Sequence, residues 1–154
     1  MKIIKAGKKH AKEIVRLVND LISELTGKRF VINEIEAIEF IERSIEKRDY
    51  FAFLALDDRQ NALGIITVGE SGAVYAGGAF GVIHEFYIVR EMRSNGIGNQ
   101  LIEKVKETAA VMGWKRLEAG APPYPRWERT TNFYLREGFA EIGPRLKWIA
   151  EPIC

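Results

Sequence analysis

A chain of 154 residues, 47% hydrophobic with a single cysteine, has the size of one ordinary domain, 1–154, able to bury a core without disulfides or metal. Charged residues make up 29% but leave a formal net charge of only +2, so the clustered Lys and Arg of a nucleic-acid groove are missing. No stretch approaches the ~20 apolar residues of a membrane span, Met1-Lys2-Ile3-Ile4-Lys5 is too short an apolar run for a secretion signal, and Cys154 has no second cysteine for a disulfide or metal site, which fits a cytoplasmic protein with no metal.

Lys2 to Lys5 reads as a short strand. From Ala11 the apolar residues Ile14, Val15, Val18, Leu21, Ile22 and Leu25 form a helical stripe that Gly27 can close in the left-handed conformation, and this helix carries His10 at its start as a surface residue. Asn33 followed by Glu36 makes a capping box for a second helix with Ile35, Ile38, Ile41 and Ile45 on one face. Tyr50 to Leu56 and Ala62 to Val68, separated by Asp57-Asp58-Arg59-Gln60-Asn61, predict an antiparallel hairpin. Glu70 to Phe80, rich in Gly and Ala, fits either a loop or the continuation of a twisted strand. Val82 to Val89 is the most strand-like segment.

After Gly98 the repeat changes to Leu101, Val105, Ala109 and Met112, a helix that Gly113 ends. Leu117, Ala119 and Ala121 alternate with more polar neighbours and predict a strand stopping at Pro122-Pro123. Trp127 to Glu137 is a last helix closed by Gly138, and Leu146 to Ile149 can return as a final strand after Gly143-Pro144. The strand, helix, strand succession around Gly98 is a right-handed βαβ unit. The fold class is therefore mixed α/β, one mainly antiparallel sheet containing a parallel pair and flanked by helices.

Arg93-Ser94-Asn95-Gly96-Ile97-Gly98 lies where strand gives way to helix, so its backbone N–H groups precede the helical ladder and point outward. Such a helix start suits an anion, a pyrophosphate above all, and Gly96 and Gly98 remove the Cβ atoms that would block its approach. A purely steric need for two glycines is the plain alternative. A P-loop would require Gly-Lys-Ser/Thr, whereas Asn99 and Gln100 follow Gly98, and a Rossmann fingerprint would need glycine at Leu101.

Arg93-x-x-Gly96-x-Gly98, preceded by Ile83-His84-Glu85-Phe86-Tyr87-Ile88-Val89, resembles the acetyl-CoA signature of the GNAT superfamily of N-acetyltransferases. Asn132-Phe133-Tyr134-Leu135-Arg136-Glu137-Gly138-Phe139 resembles that family's second signature, an aromatic pair before Gly-Phe. The two stand in the family's order, and the likeness runs from Val82 to about Trp148. It implies the family's fold and a direct transfer of acetyl from acetyl-CoA to an amine, with the oxyanion stabilised by strand N–H groups.

The resemblance further implies that Ser94, Asn95, Gly96, Ile97, Gly98 and Asn99 cradle the cofactor's phosphates, that Arg93 belongs to the same cofactor-binding set, and that Phe86 and Ile88 offer backbone groups to its pantetheine arm. It makes Tyr134 the acid that protonates the leaving thiolate. The family's usual Asn near the start of the last helix falls at Trp127, so a side-chain amide contact is lost here.

Glu85 and His84 are the candidates for the base. Consecutive strand residues face opposite sides, so one of the two is expected to reach the cleft; a solvated carboxylate and a hydrogen-bonded histidine are the plain alternatives. Cys154, at the terminus, is a poor site for an acetyl-enzyme. Tyr75-Ala76-Gly77-Gly78-Ala79-Phe80 and Pro122-Pro123-Tyr124-Pro125 fit an acceptor pocket, plain connections or the contacts of a homodimer. The acceptor is a small-molecule or protein amine, and a non-catalytic acyl-CoA-binding or sensor domain is the alternative function, with a dinucleotide-binding module as a third.

Overall fold

The computed structural model describes residues 1–121 and 127–150; the expectations at Pro122-Pro123, Tyr124, Pro125 and Cys154 lie outside the described residues. The chain divides into two compact units, Met1–Ala119 and Gly120–Cys154.

The first unit holds a five-stranded sheet whose spatial order, β1 to β5, is the order of the chain: Lys2–Lys5, Tyr50–Leu56, Ala62–Ala73, Gly78–Ile88 and Leu117–Ala119. The first four strands pair antiparallel. The last pair is parallel, as a strand, helix, strand crossover requires. Glu70 to Phe80, open between loop and strand from sequence, is mostly strand: β3 and β4 continue to the Ala73 and Gly78 pair around a 3-10 turn at Val74–Ala76.

Alternation along the strands sorts the core into two layers. Tyr50, Ala52, Leu54 and Ile65 face α1 (Ala11–Thr26) and α2 (Glu34–Lys47), packing with Ile14, Leu17 and Ile41. Phe51 and Phe53 face the other way and, with Thr108 and Met112 of α3 (Ile97–Met112), line a groove on that side. Leu17 is wholly buried, which stabilises the fold by about 2 kcal/mol.

The helix boundaries follow local chemistry. Gly27 and Gly113 end α1 and α3 with φ of 69° and 75°. The Asn33 side chain accepts from the Glu36 N–H and starts α2. His10 is the N-cap residue of α1 and also closes a 3-10 turn, Lys8–His10, where its Nδ1 accepts the Gly7 N–H at 2.9 Å, satisfying a donor that the turn leaves over.

Regular pairing of β3 with β4 breaks once. Thr67 opposes Glu85 but Val68 opposes Ile83, so His84 is one residue too many. Such a β-bulge bends its strand and raises the local twist. The parallel pairing with β5 runs from Gly81 to Ile83 and stops beside it.

In the second unit, α4 (Glu128–Arg136) ends before Gly138, which takes φ 98°. The final strand expected at Leu146 to Ile149 does not form: no strand lies between 141 and 150, and Leu146, Trp148 and Ile149 are exposed. Alternation makes a strand only where a ladder partner satisfies its backbone, and the described sheet gives this segment none.

Candidate active site

The loop between β4 and α3 has the features of an anion cradle. Ser94 and Gly96 take the left-handed conformation, with φ of 67° and 79°. Gly96 caps α3 without any side-chain hydrogen bond, and the helical ladder begins only with the Gln100 N–H to the Gly96 carbonyl at 3.3 Å. The amides of Ile97, Gly98 and Asn99 therefore precede the ladder. A Cβ built on Gly96 would meet nothing within 4 Å, so what demands glycine is the backbone angle together with an open approach. The first turn of α3 holds no acidic residue that would repel a phosphate.

Arg93 is engaged within the fold. Its Nε donates to the Ile88 carbonyl at 2.8 Å, and its Nη2 to Glu24 of α1 at 2.7 Å, while the guanidinium lies 5.5 Å from the centre of the Tyr87 ring. Arg90 donates to the other Glu24 oxygen at 2.9 Å. Burial alone would raise the Glu24 pKa; the bonds and charges of Arg93 and Arg90 outweigh it and hold the carboxyl below its ordinary value. Asn95 braces the same loop, its Nδ2 donating to the Met92 carbonyl at 3.2 Å.

Leading into this loop, β4 presents an edge. The Val89 N–H donates to the Leu63 carbonyl at 2.9 Å, so by the antiparallel alternation Phe86 and Ile88 turn their backbone groups away from β3. The Ile88 carbonyl is taken by Arg93, which leaves its N–H as the group that a ligand can use.

His84 and Glu85 share one face of the sheet, against the expectation that only one would reach it. The Glu85 carboxylate accepts from the Thr67 hydroxyl, whereas a Cβ on Gly69 would lie 3.0 Å from His84 Nε2. Thr67 and Gly69, two apart on β3, point the same way. The bulge explains it, because an extra residue restarts the alternation. Glu85 is half-buried and His84 exposed. Beneath them Tyr50, buried on β2, hydrogen-bonds Thr67 and takes the edge of the Phe40 ring of α2 at 5.9 Å. Burial first, and the Glu85 charge second, push the Tyr50 phenol well above its usual pKa. Sequence reasoning missed Tyr50, Thr67 and Glu24, since a buried Tyr or Thr in an apolar strand carries no local sign of a polar task.

Tyr134 stands on α4 in the second unit, buried, its ring edge-on to Phe133 and Phe139 at 5.8 and 5.2 Å. Burial raises its pKa strongly. Trp127 occupies the cap position of α4 and makes no side-chain capping bond. Among the described residues no cluster of His, Cys, Asp and Glu could hold a metal ion, and no helix is long and apolar enough to cross a membrane.

The site thus joins a left-handed glycine turn at the start of α3 to an outward-turned strand that carries a held carboxylate. Residues 8–147 match the family model of the acetyltransferase (GNAT) domain, and the chain belongs to that family. Solved structures agree in fold. A probable acetyltransferase is 20% identical with a TM-score of 0.75 over 100% of this chain and 99% of that one. A predicted acetyltransferase from Clostridium acetobutylicum, solved with acetyl-CoA, is 16% identical with a TM-score of 0.80 over 96% and 95%. An aminoglycoside acetyltransferase from an uncultured soil metagenomic sample, solved with trehalose, is 16% identical with a TM-score of 0.79 over 97% and 96%. No curated protein matches the chain.

Proposed function

We propose that this protein transfers the acetyl group of acetyl-CoA to an amine, in a complex holding both substrates, as a single domain, 1–154, acting in the cytoplasm. The observation that carries the reading is the Gly96 cradle, with its left-handed backbone, open approach and unladdered amides at the start of α3. Ser94, Asn95, Gly96, Ile97, Gly98 and Asn99 would hold the phosphates, Arg93 would brace the loop, and Phe86 with the Ile88 N–H would meet the pantetheine arm.

Acetyl-CoA, when bound, supplies the acetyl group as a thioester. Glu85 takes the proton that the acceptor nitrogen loses as it is acylated. One of its oxygens is held by Thr67; the other has no hydrogen-bond partner among the described residues and is available for that proton. His84, exposed on the same face, is the second candidate for the base. To Tyr134 we assign proton donation to the departing sulfur, a role supported by the likeness of residues 132–139 to the family's second signature and by a phenol that stays protonated. The acceptor is an amine of a small molecule or a protein; the aminoglycoside acetyltransferase of like fold supports the former.

Free-thiol release from acetyl-CoA, measured against pooled alkyl, aromatic, amino-acid, aminoglycoside and peptide amines, tests the reading. Amine-dependent release is expected, and Gly96→Val, whose side chain the left-handed angle disfavours, should abolish acetyl-CoA binding while the protein stays folded. Tight binding without release across the panel would instead identify a non-catalytic acyl-CoA-binding domain, and unchanged affinity in Gly96→Val would move the cofactor elsewhere.

A further inference from the structure

The hydroxyl of Thr67 lies at the centre of a closed hydrogen-bond account. A threonine hydroxyl has one proton to give and two lone pairs to receive. Thr67 is completely buried, beyond the reach of solvent. The Glu85 backbone N–H donates to its oxygen at 3.1 Å, and the same hydroxyl bonds both the Glu85 carboxylate and the Tyr50 phenol. If the Thr67 proton went to Tyr50, the carboxylate would face the threonine oxygen with no proton between them. With the Tyr50 O–H and the Glu85 N–H filling the two lone pairs, the Thr67 proton has one destination, Glu85 Oε2. The chain of donation thus runs Tyr50 to Thr67 to Glu85.

Both ends of this chain are fixed. Tyr50 is buried, with the Phe40 ring edge-on to it at 5.9 Å. Glu85 sits in the β4 bulge directly opposite Thr67. A charge-assisted bond in which the donor is itself polarised by a second donor is stronger than an isolated neutral one.

We propose that Thr67 and Tyr50 are positioning residues for the transfer: together they hold one oxygen of Glu85 so that the other is presented to the acceptor nitrogen. Neither touches substrate. This rests on the reading of Glu85 as the base. It also gives a use to the two buried polar groups of a face otherwise lined by Ala52, Leu54 and Ile65.

Thr67→Val keeps the shape and removes the hydroxyl, Thr67→Ser keeps the hydroxyl, and Tyr50→Phe removes only the outer donor. Each is made in the wild-type chain and in Glu85→Gln, with melting midpoints recorded. Rates are read as thiol release from acetyl-CoA with the pooled amines above, or from acetyl-CoA hydrolysis if no amine is turned over. A misplaced reacting group costs up to about 100-fold, so kcat should fall by about 10 to 100-fold in Thr67→Val, less in Tyr50→Phe, with KM for acetyl-CoA unchanged. Thr67→Ser should recover most of the loss, and neither deletion should slow Glu85→Gln further, because coupled residues are not additive. If Thr67→Val fails to fold, Tyr50→Phe decides on the same criteria.

Wild-type kcat in Thr67→Val and Tyr50→Phe beside an impaired Glu85→Gln would overturn the positioning role and leave the base in place. Equal losses in the wild-type and Glu85→Gln backgrounds would overturn it also, as a merely structural effect. A fully active Glu85→Gln would overturn the assignment of the base itself.

Discussion

A phenol as buried as that of Tyr134 holds its proton beyond the ordinary range, because burial strips water from the charged form. The sign matters for catalysis. A raised pKa means that the acid form persists as pH climbs, so ionisation of Tyr134 does not set the alkaline side of a pH profile recorded in the usual range. Tyr134→Phe should lower turnover by about 100 to 10,000-fold, toward the smaller figure since a thiolate is already a fair leaving group, with unaltered acetyl-CoA affinity. Its alkaline limb should stay where it is in the wild type. Steady-state rates across pH, with binding measured by calorimetry, check both parts. Normal turnover in the variant would leave the ring a packing role only.

At the scale of elements, α1 and the loop between β4 and α3 are tied through one carboxylate. Glu24 receives Arg90 and Arg93 at 2.9 and 2.7 Å, its side chain 16% exposed. Arg90 is 76% exposed, so solvent screens its share, and the less exposed Arg93 bond contributes about 1 kcal/mol. Because the Glu24 pKa is lowered on folding, this contribution is complete at neutral pH and disappears as pH falls below the usual carboxylate range through the depressed value. Glu24→Gln should therefore melt a few degrees lower than wild type near pH 7 and raise KM for acetyl-CoA, and the difference in midpoint should close in acid. Melting curves from pH 7 to 3 measure it.

That tie also marks where sequence reading ends. Gly27, Asn33 and Gly113 announce helix ends because their chemistry is local, and the glycine cradle shows itself for the same reason. Glu24 meets Arg90 and Arg93 across more than sixty residues, and Tyr50, Thr67 and Glu85 come from three strands. No spacing rule connects them. The bulge is equally silent, since His84-Glu85 reads as ordinary alternation until its partner strand is known. Leu146 to Ile149 shows the converse, an alternating pattern that finds no edge.

Across the whole first unit, strand order repeats chain order: β3 and β4 each complete a hairpin with the strand before, β2 returns beside β1 after α1 and α2, and only β5 needs a parallel crossover. The crossover is tight. A Cβ on Gly81, at the start of the parallel pair, would lie 2.6 Å from the Trp114 ring and 2.7 Å from the Leu117 side chain. The hairpins carry the proposed chemistry, and the cradle lies in the crossover that follows them.

The extra residue in β4 makes one editing event unusually safe. Removing a single residue from a paired strand normally turns every side chain beyond it to the wrong face. Here, deletion of His84 would join Ile83, already opposite Val68, to Glu85, already opposite Thr67, and both would keep their faces in a regular ladder. The shortened protein is expected to fold with a melting midpoint within a few degrees of wild type, while losing activity with the added twist where β4 and β5 cease to pair. Thermal melts and thiol release on the same sample read the two effects separately. A chain one residue shorter that melts normally and transfers no acetyl group, beside an active His84→Ala, would show that length here was selected for catalysis rather than for folding.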